Sequence, residues 1–237
     1  MELKLWEREW LDISFKKAGL KPSYLNLPTK NFYDNFYRKL FEKYSSWEQL
    51  PKSWLDEKKL ISYEIMKLLP ENSKVLSFGT GLGYIEKNIL ENRKDIELEC
   101  FDISNLPSKW LLKNYKNLKY ETNLEKLGNY DFIYFSQVLY AMPKKLILNI
   151  FKKIYKLIKK NGKILLIDTP PRSKSKSFLI IRYSKILYNF LFKYNQYQFW
   201  GWLRDSKTIK EYLNNCGLVF LSKNFIKNQE FQLYSKR

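Results

Sequence analysis

The chain has 237 residues, 45% hydrophobic and 17% aromatic, with a formal net charge of +19, two cysteines and no histidine. That length buries a real core as one α/β domain. The missing histidine excludes Ser-His-Asp and Cys-His catalysis in their usual forms and histidine metal sites, so any general base is Asp, Glu, Tyr, Lys or Cys. Cys100 and Cys216 are too few and too far apart for a disulfide framework or a structural zinc site. They read as buried thiols in a reducing, cytoplasmic compartment, with no metal expected. No run of about eighteen uncharged apolar residues predicts a transmembrane helix. The charged start, Met1–Glu7, is not expected to act as a signal peptide. The lysines are spread along the chain and accompany an excess of Asn, Ile, Tyr and Phe, which reads mainly as coding bias; a nucleic-acid, membrane-surface or anionic partner is the functional alternative.

Residues 1–70 are dense in aromatics, among them Trp6, Trp10, Phe32, Tyr33, Phe36, Tyr37, Trp47 and Trp54. The i, i+4 spacing of Phe32, Phe36 and Leu40 predicts short helices, read as a cap packed on the core, with Trp6, Trp10 and Tyr37 as candidate substrate contacts. A helix is expected over Leu60–Leu69, stopped by Pro70. Then come a strand, Lys74–Phe78, and the stretch Phe78-Gly79-Thr80-Gly81-Leu82-Gly83-Tyr84, followed by a helical pattern to about Asn92. Glycines at alternate positions allow positive φ and let a ligand approach the backbone. The helix start adds free N–H groups and a partial positive charge. The loop is therefore expected to cradle the polar end of a nucleotide-like ligand. Tyr84 occupies the place of the third glycine of the dinucleotide fingerprint, and no Gly-Lys-Ser/Thr follows as a phosphate loop requires.

The second strand, Ile96–Phe101, ends in Asp102, 19 residues after Gly83. An acid near that distance accepts hydrogen bonds from ribose hydroxyls in nucleotide-binding α/β folds. A helix from about Pro107 and a short strand near Leu118–Tyr120 precede the strand Tyr130–Tyr140, which carries Ser136 and Gln137 at its carboxyl end. Lys144–Lys159 is an amphipathic helix with Leu146, Ile150, Ile154 and Leu157 on one stripe, closed by Asn161-Gly162. Lys163–Asp168 reads as a buried parallel strand. Residues 171–204 read as an insertion, with a lid helix over Phe178–Phe192 and with Arg172, Arg182 and Arg204 as surface residues or anion contacts. Ser206 is the expected N-cap of a last helix to Cys216, and Leu218–Asn224 and Glu230–Tyr234 are two final strands.

The Gly79-x-Gly81-x-Gly83 pattern resembles motif I of the class I S-adenosylmethionine (SAM)-dependent methyltransferases. Asp102, the Tyr130–Tyr140 strand and the Lys163–Asp168 strand follow in that family's order and spacing. The resemblance covers roughly residues 60–170 well and 205–237 loosely. It implies an α/β fold: a seven-stranded Rossmann-like sheet, mostly parallel with the last strand antiparallel, helices on both faces and an aromatic-rich helical cap. The whole chain, 1–237, is then one domain, with a helical cap over 1–59, a cofactor-binding core over 60–170 and 205–237, and the lid over 171–204. SAM is the implied cofactor and S-adenosylhomocysteine its product. The residues implied to hold it are Phe78, Gly79, Thr80, Gly81, Gly83, Asp102, Ile103, Asn123, Leu124, Ser136 and Gln137, with Asn123 and Leu124 at the adenine. Two departures stand out: Ser77 where the motif usually has Asp or Glu, and Tyr140 where the family often has His.

The implied reaction is in-line transfer of a methyl group from a sulfonium, for which the protein mainly supplies orientation and desolvation. Candidate bases are Asp168, Tyr140 and Asp205; candidate substrate contacts are Trp6, Trp10, Tyr37, Tyr140 and Arg172. A small polar acceptor, an oxygen of a sugar or sugar-linked metabolite, suits the two aromatic-rich decorations. RNA methylation is the alternative carried by charge and interleaved aromatics. Ser136-Gln137-Val138-Leu139 lacks the Asn/Asp-Pro-Pro-aromatic motif expected for a nucleobase amine. A non-catalytic binding protein is the alternative carried by Ser77.

Overall fold

The computed structural model describes residues 2–169 and 196–236, together with Ser184, Leu187, Tyr188, Leu191 and Phe192. The expected lid helix, Arg172 and Arg182 lie outside the described residues.

The chain opens with strands rather than the expected helices: β1 (Glu2–Glu7), β2 (Glu9–Trp10) and β3 (Ile13–Ser14). Helices α1 (Lys30–Lys43) and α2 (Lys52–Leu68) follow. Thr29 caps α1, its hydroxyl accepting from the Phe32 N–H, and Phe32, Phe36, Tyr37 and Leu40 form the buried stripe that the spacing predicts. Helix α2 starts eight residues before the expected Leu60 and crosses the boundary drawn between cap and core.

The core is one sheet. Strands β4 (Lys74–Phe78), β5 (Glu97–Phe101), β6 (Lys119–Glu121), β7 (Tyr130–Ser136) and β8 (Ile158–Asp168) are parallel. After β9 (Gln198–Arg204), the hairpin of β10 (Leu218–Ile226) and β11 (Gln229–Lys236) completes it, with β11 antiparallel to both β8 and β10. The order is β10-β11-β8-β7-β4-β5-β6. This is the seven-stranded, mostly parallel sheet with an antiparallel last strand that the sequence implied.

Successive side chains of β4 feed opposite faces. Val75 joins the cluster that holds Phe36, Ile61 and Ile89, whereas Leu76 and Phe78 join the cluster around Ile147, Phe151 and Leu213. Such two-sided burial is what a central parallel strand with helices on both faces requires. Helix α3 (Tyr84–Asn92) joins α1 and α2 on the first face; α5 (Lys144–Leu157) and α6 (Ser206–Asn214) cover the second, and α4 (Lys109–Asn114) follows β5. The stripe α5 buries keeps the expected Ile150 and Ile154 but takes Ile147 and Phe151 in place of Leu146 and Leu157, so Leu146 is left half exposed. Each such buried side chain contributes about 1.5–3 kcal/mol.

Three local expectations change. Gly162 is not a C-cap: α5 ends at Leu157 with Ile158 as its cap, and Gly162 lies within β8, where an added Cβ would meet the Ile158 side chain at 2.7 Å. The N-cap of α6 is Asp205, not Ser206, its carboxylate accepting from the Thr208 N–H at 2.9 Å. Arg204 is not a surface residue. It is buried, donates to Glu2 Oε1 at 2.6 Å, and donates to the carbonyls of Leu139 (2.7 Å) and Met142 (2.8 Å).

That arginine clamps the N-terminal layer to the core. Strand β1 pairs antiparallel with β9, from Glu2 opposite Arg204 to Glu7 opposite Gln198. Strand β9 lies directly on the turn after β7: a Cβ on Gly201 (φ +131°) would sit 1.9 Å from the Tyr140 carbonyl oxygen. Only glycine permits that approach. Among the described residues no helix is long and apolar enough to cross a membrane.

Candidate active site

From β4 the chain turns toward β5 and β6 on one side of the sheet, while β7 and β8 lie on the other. At such a reversal the carboxyl ends of the strands splay and leave a crevice. A cavity of about 750 Å³ lies there, walled by the loop after β4, Asp102 and Ile103 after β5, Ser136, Gln137, Val138 and Tyr140 at the end of β7, Asp168 at the end of β8, and the N-terminal layer.

The glycine loop is held from three directions. The Gly79 N–H donates to the Phe101 carbonyl at 2.7 Å, the Gly81 N–H to Asp102 Oδ2 at 2.9 Å, and Trp47 Nε1 to the Leu82 carbonyl at 2.8 Å. Gly79, Gly81 and Gly83 all have positive φ, and a Cβ on Gly83 would lie 2.7 Å from the Leu111 side chain. Both Asp102 oxygens face backbone donors, Gly81 N–H and, at 3.4 Å, Ser104 N–H. Burial nevertheless raises its carboxyl to about 6, against the pull of those amides.

A second polar group lies under the loop. The Ser77 hydroxyl donates to Glu86 Oε1 at 2.6 Å and the Tyr134 hydroxyl to the same oxygen at 2.7 Å. Glu86 sits in the first turn of α3 and is 2% exposed. Beside it, Lys58 of α2 donates to Gln137 Oε1 and stands 3.9 Å from Glu57, while Gln137 Nε2 donates to Glu57 at 2.9 Å. Burial draws the Lys58 ammonium down to about 8, against the pull of Glu57 and Glu86. Gln137 holds a left-handed backbone (φ 55°), which turns its side chain into this network.

The far wall is aromatic and acidic. Trp10, Tyr33, Tyr37, Tyr140 and Trp200 line it with Glu7, Glu9 and Asp168. Trp200 stacks near-parallel to Phe15 (5.4 Å between centroids) and to Tyr140 (6.5 Å). Burial pushes the Asp168 carboxyl up to about 7, with Arg204 pulling it down and Glu230 adding to the rise. Burial likewise pushes the Tyr140 phenol to about 12, so it keeps its proton at neutral pH.

The cavity thus brings together Phe78, Gly79, Thr80, Gly81, Gly83, Asp102, Ile103, Ser136, Gln137, Tyr140 and Asp168, with Trp10 and Tyr37. Four predicted residues are elsewhere. Asn123 and Leu124 do not line it: Asn123 is exposed and caps a 3₁₀ turn, accepting from the Glu125 N–H at 3.0 Å. Trp6 points the other way because β1 is a strand. Its neighbours Leu5 and Glu7 reach the cavity, whereas Trp6 stacks on Tyr24 at 5.1 Å. Asp205 is engaged as the α6 cap. The sequence reading missed Glu86, Lys58, Tyr33 and Trp200 as wall residues. The signal available for the first is that Glu86 stands three and four residues before Ile89 and Leu90, on the apolar side of α3.

A family model described as "Methyltransferase domain" matches residues 33–223. Among curated proteins none matches the sequence. Among solved structures, the chain is similar to a putative O-methyltransferase from Nostoc punctiforme, with a TM-score of 0.64 and 13% identity over 94% of this chain and 67% of that one. It is also similar to the mitomycin 7-O-methyltransferase MmcR, with a TM-score of 0.62 and 13% identity over 91% of this chain and 61% of the other. Human N-acetylserotonin methyltransferase in complex with SAM gives a TM-score of 0.55 and 17% identity, over 88% and 56%. The chain spans about three-fifths of the length of the latter two, and at these identities the likeness is one of fold. Taken with the family match over most of its length, the glycine loop at the switch point and the acid at the tip of β5 make this chain a member of the methyltransferase-domain family, of the class I SAM-dependent kind.

Proposed function

We propose that the chain transfers the methyl group of SAM to an oxygen of a small polar acceptor, a sugar or sugar-linked metabolite. The observation that carries this reading is the single cavity joining the glycine loop and Asp102 to Asp168 and an aromatic, carboxylate-bearing chamber.

The residues present suit the cofactor. Gly81 leaves open space above the loop, where a Cβ would meet nothing nearer than Tyr37 Oη at 3.9 Å. Asp102 has lone pairs left for ribose hydroxyls beside its two backbone donors. Two buried oxygens of the wall, Ser136 Oγ and Glu86 Oε2, have no hydrogen-bond partner. When bound, the cofactor supplies an activated methyl group on a sulfonium. The chain's part is then to exclude water, orient the acceptor and receive its proton. Asp168, with a carboxyl near 7, is the group suited to take that proton. Tyr140 remains a phenol and serves as a donor and a ring wall.

The chamber offers carboxylates that accept from hydroxyls and rings that stack on sugar faces. Among the described residues that line the cavity, Lys58 is the one cation, and Gln137 already engages it. This disfavours an RNA or other phosphate-bearing acceptor in the site, whatever the surface charge. A phenolic acceptor is the second reading, favoured by the rings of Trp10, Tyr33 and Trp200; solved relatives include methyltransferases named for mitomycin and N-acetylserotonin. The buried free thiols of Cys100 and Cys216 support a reducing, cytoplasmic setting. The test is incubation with methyl-labelled SAM and panels of sugars, nucleotide sugars, phenols and short RNAs, read by mass. Label on a sugar hydroxyl supports the first reading and label on a phenol the second. Transfer to RNA or to amines alone refutes both.

A further inference from the structure

Glu86 is a buried carboxylate in the cavity wall that the proposed transfer does not use. Its residue is 2% exposed, yet only one of its oxygens is satisfied: Ser77 and Tyr134 both donate to Oε1, and Oε2 has no partner. A buried carboxylate oxygen left without a donor is costly, so the site is built for a donor that arrives from outside the chain. Lys58 does not fill that role. It donates to Gln137 and sits beside Glu57, and no Lys or Arg among the described residues forms an ion pair with Glu86. Glu86 lines the cavity together with Ser77, Gly79 and Lys58 and is bonded to Ser77, whereas Asp102 is bonded to Gly81. Two hydroxyls fixing Oε1 orient the carboxylate, while burial raises its affinity for a proton.

We propose that Glu86, locked by Ser77 and Tyr134, binds the primary ammonium at the methionine end of the cofactor. The carboxylate missing from strand β4 at Ser77 is thereby delivered from the first turn of α3 to the same place, nine residues further along the chain. Ser77 is then not a lost acid but the hydroxyl that positions the relocated one. The proposal rests on the cofactor reading above, and the experiment separates the two.

Isothermal titration of the full chain is run with S-adenosylhomocysteine and with its desamino analogue, which keeps the adenosine, thioether and carboxylate but lacks the amine. Wild type is expected to bind the amine-bearing ligand about ten- to hundredfold more tightly, the range of a charge-assisted hydrogen bond. Glu86→Gln keeps shape and the acceptor for Ser77 and Tyr134 but loses charge; it is expected to bind both ligands with similar, weak affinity. The double variant S77D/E86Q, which returns the acid to the strand, is expected to regain the preference. If wild type binds neither ligand, the cofactor reading falls and the proposal with it. Tight binding of S-adenosylhomocysteine with equal affinity for its desamino analogue overturns the proposal and leaves the cofactor reading standing. So does E86Q retaining the wild-type preference, or weakening both ligands by the same factor. Should E86Q fail to fold, wild-type discrimination and the S77D/E86Q chain decide by the same criteria.

Discussion

Replacing Asp168 with Asn tests the proposed base through stability as well as rate. In the folded chain the carboxyl titrates at about 7, against an ordinary value of 3.8, because burial disfavours its charged form. A raised acid stabilises the folded state only while protonated. Relative to acid conditions, the wild type therefore loses stability as pH climbs from about 4 to about 7, and above 7 the loss is complete. Three pKa units correspond to about 4 kcal/mol at most; with Asp168 only partly shielded by the cavity wall, about 2 kcal/mol is the reasonable expectation. Asn carries no such penalty. The D168N chain should be close to wild type in stability at pH 4 and below, and about 2 kcal/mol more stable at pH 8, a rise of about 4–8 °C in melting temperature. Transfer activity should fall about 10²–10⁴-fold in the same variant, and the wild-type rate should rise about tenfold between pH 6 and 8. Thermal melts across pH 4–8, paired with the labelled-methyl assay, read both. A stability gap that does not change with pH would refute the charge argument, and full activity in D168N would refute the base.

Asp102→Ala should abolish the melting shift given by S-adenosylhomocysteine, which at a hundredfold excess over its dissociation constant adds about 2.7 kcal/mol; an undiminished shift would remove Asp102 from the site. Gly83→Ala forces a Cβ to 2.7 Å from Leu111 at a φ of +72°. It should lower stability by about 1–3 kcal/mol and weaken ligand binding, read by urea melts and titration. Arg204→Met removes the guanidinium from Glu2, which keeps the Tyr212 hydroxyl at 2.8 Å, and from the carbonyls of Leu139 and Met142. A loss of about 3 kcal/mol is expected, seen as a lower denaturation midpoint at unchanged slope. Trp200→Ala should raise the acceptor KM while leaving S-adenosylhomocysteine affinity within about twofold, since Trp200 lines the cavity among the rings of Trp10, Tyr33 and Tyr140.

The core elements were legible because their signals are local. The Lys74–Phe78 strand is bounded in the structure as its apolar run and following glycine suggest, and α3 ends at the expected Asn92. Alternate glycines and an acid at a strand tip are chemistry written in adjacent residues. The N-terminal layer was not legible in the same way. Residues 2–7 carry no turn or cap signal that distinguishes strand from helix, and their partner is residues 198–204, nearly the whole chain away. A strand's identity there depends on the edge it finds. Trp6 was assigned to the pocket on composition, but a strand sends alternate side chains to opposite faces, and the register set by β9 turned Leu5 and Glu7 inward instead.

By itself the sequence determined the sheet, the glycine loop at its switch point and the strand-tip acid, because each follows from period, spacing and backbone freedom over a few residues. Tertiary structure alone decided which side chains converge. It placed Glu86 from a helix against Ser77 on a strand, seated Arg204 under the turn of residues 139–141, and sent Asn123 to the surface. Those outcomes depend on the packing of α2, α3 and β9 over the carboxyl edge. Burial then set the proton affinities of Asp102, Asp168 and Lys58, a property no side chain carries until the fold removes its water.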